Sequence, residues 1–290
     1  MVQVIGCSHG LHVAKSIAKY LKAGYGRLKT RAFPDGELDV RLPHDVKGKD
    51  IVLVQSFYGA ISDCILEVIF AASTAKELGA KKITLLAPYF PYHRQDKRFH
   101  PAQTVSIEVI GKIMDRYLDS IIIMDPHLHR KDSLSQIFRI PSRKLTANGA
   151  IAKFIQKKVK NSVIIGPDWE SYKWAQKIGE QIGAEYHILH KKRYSSRKVR
   201  IFFRKGVELK GRKVVIVDDI ISSGHTILET IKELRAIGIR DISVICVHGL
   251  FAEGSLKKIQ KTGAKVFSCN TIPNAVSKID VSLVLAKSLS

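Results

Sequence analysis

The sequence predicts an α/β protein of two tandem halves, each a mostly parallel sheet flanked by helices. Three observations predict it. Short runs of Val, Ile and Leu are continuous rather than alternating, as strands covered on both faces are: Val2 to Ile5, Ile51 to Gln55, Lys82 to Ala87, Ile121 to Met124, Val163 to Ile165, Val214 to Val217 and Ile242 to Val247. Helical-period segments lie between them, with Leu11, Ala14, Ile17, Ala18 and Leu21 on one face, and likewise Ile107, Ile110, Ile113, Met114 and Tyr117. The chain of 290 residues also exceeds the usual single-domain length. A loop-like stretch, Ile140-Pro141-Ser142-Arg143, falls near its midpoint, and on each side an apolar strand runs into acids, Ile121 to Asp125 and Val214 to Asp219. The expected domains are therefore residues 1–143 and 144–290. No short-period repeat points to a solenoid or propeller.

Composition is that of an ordered globular protein, 45% hydrophobic and 26% charged. The balance of 48 Lys and Arg against 26 Asp and Glu gives a net charge of +22, a field that attracts nucleic acid, anionic membrane or phosphorylated metabolites. Cys7, Cys64, Cys246 and Cys269 are widely spaced, without metal-site or disulfide-framework spacing, and read as packed thiols of a reducing cytosol. No apolar run approaches a membrane span and no basic-then-apolar leader opens the chain, so the expectation is a soluble, cytoplasmic protein.

The segment VVIVDDIISSGHTI, residues 214 to 227, carries the most chemistry. A buried strand stops at Asp218 and Asp219, and Ser222, Ser223, Gly224, His225 and Thr226 lead into a helix. Ligands of open α/β sheets sit beyond the carboxyl ends of strands. A carboxylate there accepts hydrogen bonds from a cis-diol, and the N–H groups of a Ser/Gly loop at a helix start hold a phosphate dianion. Solvated acids followed by a capped helix would look the same in sequence.

Other segments are ambiguous taken alone. In RQDKR, residues 94 to 98, Arg94 and Lys97 can pair with phosphates or stack on adenine and Gln95 can bond a base edge, yet the run also reads as a basic surface loop. FPDGELDVRL, residues 33 to 42, has the turn signature of a hairpin. His127 and His129 form an H-x-H pair after Asp125, a spacing more often incidental than metal-binding. HKKRYSSRKVRIFFRK, residues 190 to 205, is dense in like charge, which favours an extended, mobile segment; with Tyr194, Phe202 and Phe203 beside the charges it also reads as an RNA-binding stretch.

Together these segments carry a resemblance. Residues 214 to 227 resemble the phosphoribosyl-pyrophosphate loop of the type I phosphoribosyltransferase fold. FPDGELDVRL, PYFPYHRQDKRF (88 to 99), MDPH (124 to 127), GPD (166 to 168) and HKKR (190 to 193) occur in the order seen in ribose-phosphate pyrophosphokinases, over nearly the full chain. The resemblance implies two phosphoribosyltransferase-like domains, a nucleotide side and a ribose 5-phosphate side. It implies transfer of the pyrophosphoryl group of MgATP to the C1 hydroxyl of ribose 5-phosphate. ATP is then held by Arg94, Gln95 and Asp96, and by Phe33, Asp35 and Glu37 reaching across a subunit boundary, which makes the protein at least a dimer. Ribose 5-phosphate falls to Asp218, Asp219, Ser222, Ser223, Gly224, His225 and Thr226, Mg²⁺ to His127 and Asp168, and catalysis to Lys191 and Arg193. Only Lys191 and Arg193 are carried over from the basic segment; Arg197, Lys198 and Arg200 read as solvated or as helpers in drawing in anionic substrate, and no specific nucleic acid and no membrane is implied.

Two departures from the family pattern stand out. Ser222-Ser223-Gly224-His225-Thr226 replaces a common Asp-Thr-Ala-Gly-Thr, and Trp169-Glu170-Ser171 follows GPD where many relatives have a glycine pair. Both, with the short chain, resemble archaeal members. The competing functions are a phosphoribosyltransferase consuming the same product, for which RQDKR and the hairpin have no use, and a non-catalytic regulatory or RNA-binding relative.

Overall fold

The computed structural model describes every residue except 44, 129, 170, 194–198, 203–208 and 290; at 190–193 and 199–202 it describes the backbone alone. The chain divides into two compact units, Met1–Thr146 with Val281–Ser290, and Ala147–Asp280.

In the first unit the strands are β1 (Val2–Gly6), β2 (Gly24–Arg27), β3 (Lys29–Ala32), β4 (Leu38–Arg41), β5 (Asp50–Val54), β6 (Lys82–Ala87), β7 (Ser120–Met124) and β8 (Ser142–Leu145). Six of them form a parallel sheet in the order β2-β1-β5-β6-β7-β8, while β3 and β4 pair as a separate antiparallel hairpin. Helices α1 (Leu11–Leu21), α2 (Ile61–Glu77) and α3 (Ser106–Tyr117) connect the strands. β7 is buried at all five positions, which is why Ile121-Ile122-Ile123 reads as an unbroken apolar run. α1 buries Val13, Ala14, Ile17 and Ala18 along one stripe and leaves Lys15 and Lys19 outside.

The second unit follows with α4 (Asn148–Lys158), β9 (Ser162–Gly166), α5 (Tyr172–Ile182), β10 (Tyr186–Ile188), β11 (His190–Arg193), β12 (Val199–Phe202), β13 (Lys213–Ile221), α6 (His225–Ala236), β14 (Ile242–Gly249), α7 (Ser255–Lys261), β15 (Lys265–Cys269) and β16 (Ser277–Ile279). Its parallel sheet runs β10-β9-β13-β14-β15-β16, and β11 and β12 pair antiparallel on their own. The two units thus repeat one strand order: the first strand lies second in the sheet, the second strand forms an edge, and a two-stranded ribbon precedes the third. That is the tandem α/β architecture expected from the sequence.

Three expectations need correction. The stretch around Pro141 is not all loop, because residues 142 to 145 pair with β7 as the edge strand β8. The contact boundary accordingly falls after Thr146 rather than after 143, and the last ten residues return to the first unit. They return because α8 (Ser282–Lys287) packs on α1 and Arg143 Nη1 donates to the Ser288 carbonyl at 2.8 Å. Finally, the strand entering the acidic pair does not stop there: β13 continues to Ile221, with Asp218 opposite Cys246 and Ile220 opposite His248 on β14.

All four cysteines are free and buried, as packed thiols are. Among the described residues no helix is long and apolar enough to cross a membrane.

Candidate functional site

In the second unit, β9 and β13 are neighbours, but the chain leaves β9 towards β10 on one side and leaves β13 towards β14 on the other. Connections therefore diverge at their carboxyl ends and open a crevice, the position where ligands of such sheets bind. Asp168 follows β9; Asp218 and Asp219 lie on the last turns of β13 before the loop to α6. Asp219 is 3% exposed whereas Asp218 is partly open. Burial first, then the charges of Asp219 and Asp168, push the Asp218 carboxyl well above the usual carboxylate range. The Asp219 N–H donates to Asp218 Oδ1 at 3.0 Å and only partly offsets that. Three carboxylates thus lie within electrostatic reach of one another here.

Asp168 is held by a reciprocal turn. The Ser171 N–H and Oγ donate to Asp168 Oδ1 at 2.9 and 2.7 Å, and the Asp168 N–H donates to Ser171 Oγ at 3.1 Å. This fixes one carboxylate oxygen at the entrance to α5. Trp169 beside it is 70% exposed and stacks on Tyr172 with ring centroids 5.9 Å apart.

Beyond β13 the loop is shaped by Gly224, whose φ of +73° caps α6 in the left-handed region. A Cβ there would lie 2.9 Å from Ser255 Cβ, so both conformation and space require glycine. Ser255 Oγ donates to the Ser222 carbonyl at 2.7 Å and ties α7 to the loop. Ser223, His225 and Thr226 are exposed, and among the described residues no side chain caps the first N–H groups of α6. His225 is directed along its own helix, with Nε2 3.2 Å from Glu229 Oε1.

The remaining candidates of this unit, Lys191 and Arg193, lie on β11, opposite Ile201 and Val199 of β12. The basic segment is thus a paired ribbon at 190–193 and 199–202. The side chains of Lys191, Arg193, Arg200 and Phe202, and all of Tyr194, Arg197, Lys198 and Phe203, lie outside the described residues, as do His129 and Glu170.

In the first unit, Arg94, Gln95 and Asp96 follow β6 and His127 follows its neighbour β7, so all four lie past the carboxyl edge of one sheet. Arg94 and Gln95 are exposed; Gln95 Oε1 accepts from Ser106 Oγ at the start of α3. The Asp96 side chain is only 5% exposed and accepts from Arg130 Nη1 at 2.8 Å, joining the two loops. Arg130 was not found from sequence. Its guanidinium also lies 5.6 Å from the centroid of the exposed Phe99 ring, with Lys97 5.1 Å from the same ring. Phe33, Asp35 and Glu37 occupy the exposed tip of the β3–β4 hairpin. There the Phe33 N–H donates to the Glu37 carbonyl at 2.8 Å, and Arg31 sits 5.2 Å from the Phe33 ring centroid.

Sequence reasoning also missed Glu67. It is 2% exposed and accepts four bonds: from the Ser8 N–H at 2.8 Å, Ser8 Oγ at 2.6 Å, Thr30 Oγ1 at 2.7 Å and Gln55 Nε2 at 2.7 Å. It joins the ends of β1 and β5 to the base of the hairpin. A charged residue inside the apolar run CILEVIFAA was the available signal.

Comparison with known proteins agrees with this arrangement. Residues 2–117 match the model of the N-terminal domain of ribose phosphate pyrophosphokinase, and residues 133–284 match that of the phosphoribosyl transferase domain. The chain is 31% identical over 292 residues to the ribose-phosphate pyrophosphokinase of Saccharolobus solfataricus, covering 99% of each chain. The chain belongs to the ribose-phosphate pyrophosphokinase family. Relatives of the same description from Methanothermobacter thermautotrophicus and Pyrococcus abyssi are 33% and 32% identical, over 98% and 93% of this chain and 98% and 95% of theirs. The crystal structure of phosphoribosylpyrophosphate synthetase from Mycobacterium smegmatis shares the fold, with a TM-score of 0.86 at 23% identity over 99% of this chain and 97% of that one. These archaeal pyrophosphokinases accord with the short-form resemblance drawn from the motifs.

Proposed function

We propose that the chain transfers the pyrophosphoryl group of MgATP to the C1 hydroxyl of ribose 5-phosphate, forming 5-phosphoribosyl 1-pyrophosphate and AMP. The observation that carries this reading is the group of three carboxylates at the β9–β13 crevice, Asp218 beside Asp219 and Asp168, followed by a helix start with no side-chain cap among the described residues. Asp218 and Asp219 accept the pentose hydroxyls, and residues 222 to 226 present N–H groups and hydroxyls to its 5-phosphate. The C1 oxygen attacks the β-phosphorus, the bond from that phosphorus to the bridging α,β oxygen breaks, AMP leaves, and the hydroxyl proton is released. No covalent enzyme intermediate is required. Arg94 and Gln95 take the nucleotide, aided by Phe33, Asp35 and Glu37 from a neighbouring copy, which makes the active form at least a dimer.

Among the described residues no cluster of three or more His, Cys, Asp or Glu could hold a metal by itself. Mg²⁺ takes one or two carboxylates together with substrate phosphates and water. The carboxylate of Asp168 is the oxygen donor such a hard cation takes, His127 is the second assigned contact, and the cation would neutralise charge on the phosphates. Lys191 and Arg193 meet the charge developing on the transferred group.

The test is to incubate the protein with MgATP and ribose 5-phosphate and separate the nucleotides. AMP appears in step with phosphoribosyl pyrophosphate; ADP with a sugar bisphosphate would instead mean ordinary kinase chemistry. Lys191→Ala lowers kcat by about a hundredfold or more while KM changes little, since the group acts on the transition state.

A further inference from the structure

From the base of the hairpin we infer an anion-binding site in the first unit, distinct from the residues assigned to substrates above. A cavity of about 490 Å³ opens there, lined by Ser8, Arg27, Lys29, Arg31, Asp39 and Arg41 among others. Its volume is in the range of small-ligand sites. Two observations say what it takes.

The first is charge. Arg31 Nε bonds Asp39 Oδ2 at 2.7 Å, which removes the one carboxylate among these residues from the reckoning. Arg27, Lys29 and Arg41 make no ion pair among the described residues and face the same space. The second is register. On the hairpin Arg31 is opposite Asp39, but Lys29 is directly opposite Arg41, a like-charge cross-strand pair that weakens an isolated two-stranded ribbon. Arg27, ending β2 two residues earlier, adds a third cation to the same side. An anion between them converts that repulsion into attraction.

Three cations around a space much larger than a single tetrahedral oxyanion fit a linear polyphosphate: inorganic pyrophosphate or the di- or triphosphate tail of a nucleotide. At the floor the Glu67 carboxylate is 2% exposed and takes up the Ser8 and Thr30 hydroxyl protons, so it lies behind the cations rather than among them. Because the same hairpin ends in Phe33, Asp35 and Glu37, an occupied site braces the segment given to ATP under the proposed function. The binding itself does not depend on that assignment.

The experiment is calorimetric titration of the full chain with inorganic pyrophosphate, without divalent metal, comparing wild type with Arg27→Gln/Arg41→Gln. A Lys158→Gln/Lys213→Gln variant removes the same charge from exposed positions of the other unit. The hairpin variant loses at least about tenfold in affinity at one class of site, the control variant keeps it, and both retain unaltered affinity for ribose 5-phosphate. Equal weakening in both variants, or none in the hairpin variant, would overturn the site by assigning binding to the net field or to another location. Repeating the titration with ADP and with AMP separates the sources. A nucleotide-tail ligand makes ADP bind more tightly than pyrophosphate and AMP poorly. Loss of the AMP-forming reaction in wild type, with pyrophosphate binding intact, would sink the proposed function alone.

Discussion

Under the proposed function, Asp218 sets substrate binding against stability at a single position. Its carboxyl is raised by burial and by Asp219 and Asp168, so the ionised form is disfavoured in the folded chain relative to the unfolded one. Its contribution to stability is greatest when both states are protonated and falls as pH rises from about 3.9, the unfolded value, through the raised folded value. Asp218→Asn therefore raises Tm at pH 7 by about 2–4 °C, a gain that disappears towards pH ~4 in thermal unfolding scans; the same change abolishes measurable product formation. Glu67 is the opposite case. Its four donors are all neutral and all satisfied, so Glu67→Gln turns an NH₂ group onto them and costs about 2–3 kcal/mol, read as a lower denaturant midpoint with unchanged m. The nearby His9–Cys64 contact, Nδ1 to Sγ at 3.2 Å, has the outline of a base and a nucleophile. Burial, then Glu67 and Asp63, push the Cys64 thiol up to about 12, so at neutral pH it stays protonated and is no thiolate nucleophile.

Among the elements, the loop from β13 to α6 depends on one residue. Gly224→Ala must adopt φ +73° with its Cβ against Ser255, a cost of about 1–3 kcal/mol. Moving the loop to relieve it withdraws the helix start, so KM for ribose 5-phosphate rises more than kcat falls, measurable in steady-state kinetics. The first unit has the same strand order but a different crevice. There Gly10 approaches the end of β5 so closely that a Cβ would overlap the Val54 carbonyl oxygen. Gln55 Oε1 accepts from the His9 N–H at 3.0 Å while its amide reaches Glu67. Side chains thus fill in the first unit the position that carboxylates line in the second. Of the elements themselves, interior strands such as β7 and β14 were legible because covering on both faces leaves an unbroken apolar run. β2, β8, β10 and β16 are short and polar or glycine-bearing, and only pairing with a neighbour makes them strands. The extension of β13 past Val217 has the same cause: ladder bonds to β14 outweigh the poor strand propensity of Asp218 and Asp219.

For the molecule as a whole, the last residues belong with the first. Deleting 281–290 removes α8 from α1 and the Ser288 carbonyl from Arg143, so amide exchange should rise across α1 and β1 while β14 and α6 keep their protection. Sequence by itself determined the α/β class, the duplication, the order of the motifs and the place of the Asp218-Asp219 pair and the Ser/Gly loop ahead of a helix, because hydrophobic period and local turn chemistry are written in neighbouring residues. Only tertiary structure decided that Asp168 and Asp218 share one crevice, that Arg130 claims Asp96, that Glu67 ties the hairpin to β1 and β5, and that cations of β2 and the hairpin converge on one cavity. Those meetings depend on strand order and register, which bring together residues far apart in the chain, and no local pattern carries that information.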